Sequence, residues 1–163
     1  MPVSNPSPVG ATILYATGGS VFSTTFTNIA GLTFSIAAGE IVYFDAYIYY
    51  TSSATTNGIG LSVNGPAGAA ARYDLALQAV ANSTTGNNTM NTGFFTWRAE
   101  ANFDSMNATS TVPSATDVLR GRLVGYVTAG ITAGTVAMRV RTENGTPAFV
   151  SINANSRLLY WRR

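Results

Sequence analysis

The ten residues Ile41-Val42-Tyr43-Phe44-Asp45-Ala46-Tyr47-Ile48-Tyr49-Tyr50 decide the fold class. β-Branched and aromatic side chains dominate the run, and reading every second position divides it in two. Val42, Phe44, Ala46, Ile48 and Tyr50 make one face; Ile41, Tyr43, Asp45, Tyr47 and Tyr49 make the other. In a strand, successive side chains point to opposite sides of a sheet, so each set lines one surface. Phe44 and Ile48 are expected to face a core, while most of the tyrosines pack at a subunit interface. Asp45, alone among them in carrying charge, is expected either to face solvent or to pair with an arginine. Ten residues interrupted by a charge are about half a membrane span.

The same period of two recurs outward from this run. Leu32, Phe34 and Ile36 alternate with Thr33, Ser35 and Ala37; Ile59, Leu61 and Val63 alternate with Gly60 and Ser62. Val136, Met138 and Val140 alternate with Ala137, Arg139 and Arg141. The best helical candidate, Ala67 to Ala81, is rich in alanine, but Tyr73, Leu75 and Leu77 fit a strand better. Gly18-Gly19, Ala38-Gly39, Asn57-Gly58, Asn64-Gly65-Pro66 and Asn144-Gly145 punctuate the runs. The asparagine and glycine residues are expected there because they tolerate positive φ. Pro113 marks a further loop, and Asn82 to Thr92 reads as a long exposed one. About ten strands follow, at 11–17, 21–28, 32–37, 41–50, 58–63, 71–78, 94–101, 118–127, 135–142 and 147–152, with a last short one at 157–161. The expected fold is all-β: an antiparallel two-sheet sandwich, jelly-roll-like, over residues 11–163. No repeat of solenoid or propeller length, heptad segment or Gly-X-Y run is visible.

Residues 1–10 lie outside this alternation and read as a short extended N-terminal arm. Pro2, Pro6 and Pro8 stiffen it and mark it as a docking arm. With no basic side chain and no apolar run, it does not read as a signal peptide, and the chain is expected to be soluble. The sequons at Asn82, Asn87, Asn107 and Asn144 are expected by chance in so Asn- and Thr-rich a chain.

Composition narrows the chemistry. Charged residues are 10% of the 163, against a usual share of about 25%. The difference is filled by 22 Thr, 14 Ser, 13 Asn and 16 Gly, while hydrophobic content is an ordinary 46%. Sixteen charges over the roughly 7,700 Å² surface of a monomer this size give about one per 480 Å², against about one per 190 Å² in a typical domain. Hydroxyl and amide groups can cover the gap. The reading favoured here is that much of the surface is buried against other copies or a larger assembly, since charge depletion marks interface cores.

The chain has no cysteine, no histidine and no lysine. Disulfides, thiolate metal sites, Ser–His–Asp catalysis and Schiff-base chemistry are therefore excluded. Seven carboxylates remain: Glu40, Asp45, Asp74, Glu100, Asp104, Asp117 and Glu143. A pair of them for glycoside hydrolysis is conceivable, and Glu100, Asn102 and Asp104 are a weak match to a calcium site. The expectation is nonetheless a protein that is not an enzyme and needs no cofactor.

All nine basic residues are arginine, and Arg120 with Arg122, and Arg139 with Arg141, each share a strand face. Arg157, Arg162 and Arg163 accompany Tyr160 and Trp161. A stripe of this kind suits an anionic partner, but the net charge is only +2, so nucleic acid is not the expected partner. Arginine without lysine fits bidentate or stacked pairing, and Arg120, Arg122, Arg139 and Arg141 are the expected subunit or partner contacts. Tyr43 and Tyr47 offer an alternative reading as glycan contacts, because a tyrosine ring is flat and apolar with a polar tip.

The segments Ala30-Gly31-Leu32-Thr33-Phe34-Ser35-Ile36-Ala37-Ala38-Gly39-Glu40 and Tyr43-Phe44-Asp45-Ala46-Tyr47 resemble a β-sandwich domain recurring in tailed-bacteriophage virion structural proteins. Gly60 to Pro66, Gly134 to Glu143 and Asn155-Ser156-Arg157-Leu158 continue the resemblance, which covers roughly residues 21–160. The resemblance implies a setting on the virion surface: head decorations, fibre tips or minor tail proteins, often as trimers. It also points to a capsid decoration (cement) protein, assembled in the host cytoplasm, that binds the major capsid protein on the capsid exterior as a homotrimer. A tail or fibre receptor-binding module is the alternative, and neither role involves nucleic acid or a membrane.

Overall fold

The computed structural model describes residues 10–80, 92–100, 103–104 and 111–163, with the backbone alone described at 79–80 and 92–100. The arm prolines Pro2, Pro6 and Pro8, and residues 82–91 of the expected loop, lie outside this set; Thr92 itself opens a strand. Eleven strands are present among the described residues: β1 (Thr12–Tyr15), β2 (Gly19–Val21), β3 (Thr27–Ile36), β4 (Ile41–Ser52), β5 (Ile59–Asn64), β6 (Ala70–Val80), β7 (Thr92–Glu100), β8 (Leu119–Thr128), β9 (Gly134–Thr142), β10 (Val150–Ile152) and β11 (Arg157–Arg162). No helix occurs among the described residues. Within the alanine-rich stretch at 67–81, Ala70–Val80 form the strand β6, as the Tyr73–Leu75–Leu77 alternation indicates.

The strands form two antiparallel sheets. The larger has the order β1-β11-β4-β8-β6-β7; the smaller is β3-β9-β5. β10 pairs with residues 50–52 of β4, in line with β11 on the same edge, and β2 lies outside β10 as β1 lies outside β11. The break between β10 and β11 falls opposite Tyr49. Buried Ser156 fills it, its hydroxyl accepting from the Tyr49 N–H at 2.9 Å and donating to the Tyr49 carbonyl at 3.1 Å. The side chain thus satisfies the Tyr49 N–H that the ladder leaves without a strand partner, and shares the carbonyl with the Asn153 N–H, 2.8 Å away.

The core lies between the sheets. Val42, Phe44, Ala46, Ile48 and Tyr50 of β4 are fully buried, facing Leu32, Phe34 and Ile36 of β3 and Val136, Met138 and Val140 of β9. Tyr50 belongs to this layer, not to the tyrosines of the opposite face. Its hydroxyl donates to the Gln78 carbonyl at 2.9 Å, and burial pushes its pKa far above the ordinary phenol value. At one end Tyr160 stacks on Phe34 at 4.5 Å, joining the two sheets.

Some boundaries differ from those read in the sequence. Residues 21–28 do not form one strand: the Ser23 hydroxyl donates to the Thr25 carbonyl at 2.9 Å and accepts from the Thr25 N–H at 3.1 Å, competing with a ladder. β3 begins at Thr27, and its pairing with β9 shifts register between Asn28 and Thr33. Gly31 sits in this irregularity at φ +89°, where a Cβ would come within 2.3 Å of the Tyr15 carbonyl oxygen. The strand expected at 147–152 shrinks to Val150–Ile152, because Pro147 has no N–H for a ladder and the Ala148 N–H turns back to the Gly145 carbonyl.

The turns fall where expected, but three of them for a different reason. None of Asn57, Gly58, Asn64, Gly65, Asn144 or Gly145 has positive φ; Gly18, Gly39 and Gly68 do. Asn57 is instead a buried hub. Its amide donates to the Phe149 carbonyl at 2.9 Å, while its oxygen accepts from the Thr142 hydroxyl at 2.7 Å and the Asn144 N–H at 3.1 Å. Gly65 lacks a side chain because the Phe103 ring occupies that space, 2.7 Å from where a Cβ would stand.

Candidate functional site

The outward face of the large sheet follows from the pairing registers. Tyr47 of β4 lies opposite Arg157 of β11 on one side and Arg122 of β8 on the other. Tyr43, four residues earlier, lies between Trp161 and Tyr126 in the same way. Between these rows, Asp45 is flanked by Leu159 and Val124. β1 adds Ile13 beside Leu159 and Tyr15 beside Arg157; β6 adds Arg72 beside Tyr126 and Asp74 beside Val124. Alternation on five neighbouring strands thus sets a ladder of aromatic and guanidinium groups across one surface.

Contacts within the ladder hold it flat. The guanidiniums of Arg122 and Arg157 each lie 5.1 Å from the Tyr47 ring centroid, approaching from opposite sides of β4. Trp161 stacks on Tyr43 at 5.9 Å, and Tyr126 tilts against it at 5.8 Å. Arg122 also grips Asp45 with two bonds, Nε to Oδ1 at 2.8 Å and Nη2 to Oδ2 at 2.7 Å. Donation to the Asp45 carboxylate is the chief reason that the Arg122 pKa rises above its already high ordinary value. Of the two expectations for Asp45, facing solvent or pairing with an arginine, the structure shows the second.

The other arginine pair behaves differently. Arg139 Nη1 donates to Asp104 at 2.6 Å and its Nη2 donates to the Phe26 carbonyl, while Arg141 stacks over the Phe26 ring at 5.2 Å. These side chains tie β9 to the chain entering β3 and to the turn at residues 103–104. Burial holds the Asp104 carboxyl above its ordinary value, with Arg139 pulling it partly back. Arg120 lies on the large sheet beside Tyr49, and its N–H donates to the Gln78 side-chain oxygen at 3.3 Å. The structure thus brings Arg120, Arg122, Tyr43 and Tyr47 onto one surface and puts Arg139 and Arg141 on the other sheet.

Three further residues complete the face: Tyr15 and Tyr126, which sequence reasoning left out, and Trp161, which it named only as a neighbour of the C-terminal arginines. The signal was present in the alternation of Arg157, Leu159 and Trp161, but which strand lies beside which is not encoded locally. Asp104 is engaged by Arg139 and does not meet a metal-ligand set; Glu100 and Asn102 contribute no described side chain. Among the described residues no group of three or more carboxylates could hold a metal ion. Asp45, Asp104 and Glu40 are each paired with an arginine, the last with Arg162 at 2.6 Å. Among the described residues no helix is long and apolar enough to cross a membrane.

Hollows lined by described residues adjoin this architecture. One, of about 430 Å³, runs between Gly18–Ser23 and Thr27–Ala30. Another, of about 460 Å³, is an open crevice on the large sheet lined by Tyr15, Tyr49, Val118, Asn153, Asn155 and Arg157. Comparison with family profiles, with curated proteins and with solved structures finds no match to this chain.

Proposed function

We propose that this chain is a non-enzymatic structural protein of a tailed-phage virion, a capsid decoration protein that binds the major capsid protein on the capsid exterior as a homotrimer. One observation carries the structural part of this reading: the outer face of the large sheet is a broad, lysine-free surface of tyrosine, tryptophan and arginine. These are the residue types enriched where proteins bury surface against each other. The phage setting rests on the resemblance of the strand-and-turn segments at residues 30–40, 43–47, 60–66, 134–143 and 155–158. The function is mechanical: added contact area between capsomers raises the work needed to rupture the shell. Jelly-roll winding of the sandwich and the docking role of Pro2, Pro6 and Pro8 belong to the same proposal. The test is to label the protein on intact virions and image them. Many copies spread over the head support decoration; absence from the particle overturns it.

The crevice beside Tyr15 and Tyr49 favours a second reading, a receptor-binding module for a host glycan. Two tyrosines, two amides and a guanidinium around an open hollow suit a sugar ring. Tyr43 and Tyr47 suit it less, because neighbouring side chains already lie against their rings. Few copies confined to one end of the particle, with glycan binding lost on Tyr49→Ala, would select this reading.

A further inference from the structure

We propose that copies of this chain associate through the outer face of the large sheet about an axis running along its strands, so that Asp74 of one copy meets Arg157 of the next. The inference rests on the homo-oligomeric reading above and specifies its geometry. Its starting point is the distribution of charge over the face. In the middle, Asp45 and Arg122 neutralise each other through two hydrogen bonds. Towards the β6 side, Asp74 has no ion-pair partner among the described residues; towards the β11 side, Arg157 contacts the Tyr47 ring but no described carboxylate. An anion and a cation therefore stand on opposite flanks of one aromatic surface.

The registers fix their relative heights. Arg157 is level with Tyr47, Arg122 and Ala76, and Asp74 is level with Asp45, one row along. One row is two residues, about 6.6–6.8 Å, within reach of an arginine side chain. A rotation axis parallel to the strands keeps rows level while carrying the β6 flank of one copy to the β11 flank of another. Asp74 then lands one row from Arg157, beside the small side chain of Ala76. Arg72, whose like charge would oppose Arg157, stands two rows away, about 13 Å. An in-plane axis across the strands would instead set β6 against β6 and leave Arg157 without an anion.

Size agrees with this use. From β1 to β6 the face spans five strands at about 4.8 Å spacing, and from Tyr43 to Tyr49 it runs about 20 Å. With side-chain margins the area is roughly 600 Å²: a two-fold axis buries it all against one copy, the order of the ~800 Å² that each partner commits to a stable interface, and a three-fold axis divides it between two neighbours, about 300 Å² to each. Ile13 and Tyr15, 53% and 59% exposed on β1, extend it on the Arg157 side.

Sedimentation of the full chain over a concentration series is the test, with Asp74→Arg, Arg157→Asp and the double exchange. Each single substitution should weaken association at least about tenfold, and the double exchange should restore it. Asp74→Asn and Arg157→Gln, milder changes at exposed or half-exposed positions, serve if a charge reversal disturbs folding, and each should weaken association in the same direction. Association of the unaltered chain should also weaken as salt rises. Singles without effect, a double exchange that fails to restore, or salt-independent association would overturn the Asp74–Arg157 pairing while leaving the oligomer standing. A chain that stays monomeric throughout would overturn the homotrimer itself, and a dimer showing the exchange behaviour would keep the pairing but replace the trimer.

Discussion

Phe44 and Tyr47 stand three residues apart on β4 and face opposite ways, so truncating each to alanine separates the core from the partner surface. Phe44 is fully buried and its ring tilts against Tyr73 at 6.5 Å. Phe44→Ala removes the transfer energy of the ring and leaves a cavity between the sheets, at a cost of about 3–5 kcal/mol. For a chain of this length each kcal/mol moves Tm by about 2–4 °C, so a fall of roughly 6–20 °C is expected. Tyr47 is half-buried and its described ring contacts are the two guanidiniums. Losing two exposed contacts of about 0.5–1 kcal/mol each predicts a fold destabilised by only about 1–2 kcal/mol. In association the order reverses: a tyrosine near the centre of an interface contributes about 2 kcal/mol or more, a roughly 30-fold weakening. Urea denaturation at the lowest workable concentration reads the first quantity, and sedimentation over a concentration series reads the second. The reasoning is refuted if Phe44→Ala costs less than about 1 kcal/mol, or if Tyr47→Ala leaves association unchanged.

Other substitutions probe separate features. Gly31→Ala meets both a left-handed φ and the Tyr15 carbonyl; it should cost more than the roughly 1–3 kcal/mol of backbone strain alone, read as a lowered urea midpoint. Ser156→Ala strips the Tyr49 N–H of its partner across the β10–β11 break, while the Tyr49 carbonyl keeps the Asn153 N–H; it should cost about 1–3 kcal/mol, with faster hydrogen exchange at the Tyr49 amide. The raised Asp104 pKa means the native state binds that proton more readily than the unfolded chain. Its contribution to stability is complete below the ordinary carboxylate pKa and is lost as pH rises through the raised value; Asp104→Asn should remove this part of the acid-side dependence in denaturation curves. Deleting Met1 to Val9 removes no residue of the described core and should barely move Tm, while abolishing attachment to undecorated particles if the arm docks.

Alternation alone determined that this chain is all-β and which half of β4 faces inward. The inner set of β4 is buried as its period-two reading requires, because backbone geometry forces neighbouring side chains to opposite sides of a sheet. The absence of cysteine, histidine and lysine likewise removed whole classes of chemistry before any folding was considered. Turns were legible in position but not in cause: Asn57 and Gly65 are required by a buried hydrogen-bond hub and by the Phe103 ring, both partners distant in sequence. The candidate site was half legible. Tyr43, Tyr47 and Asp45 were visible as one outward set, and Arg122 as a residue suited to bidentate pairing. That Arg122 grips Asp45 across 77 residues, and that Arg139 is tied to Asp104 on the other sheet, depended on strand order and register. Local propensity chooses the strand and its faces, but pairing between distant strands is chosen by packing over the whole core, and only the tertiary structure decided which side chains became neighbours.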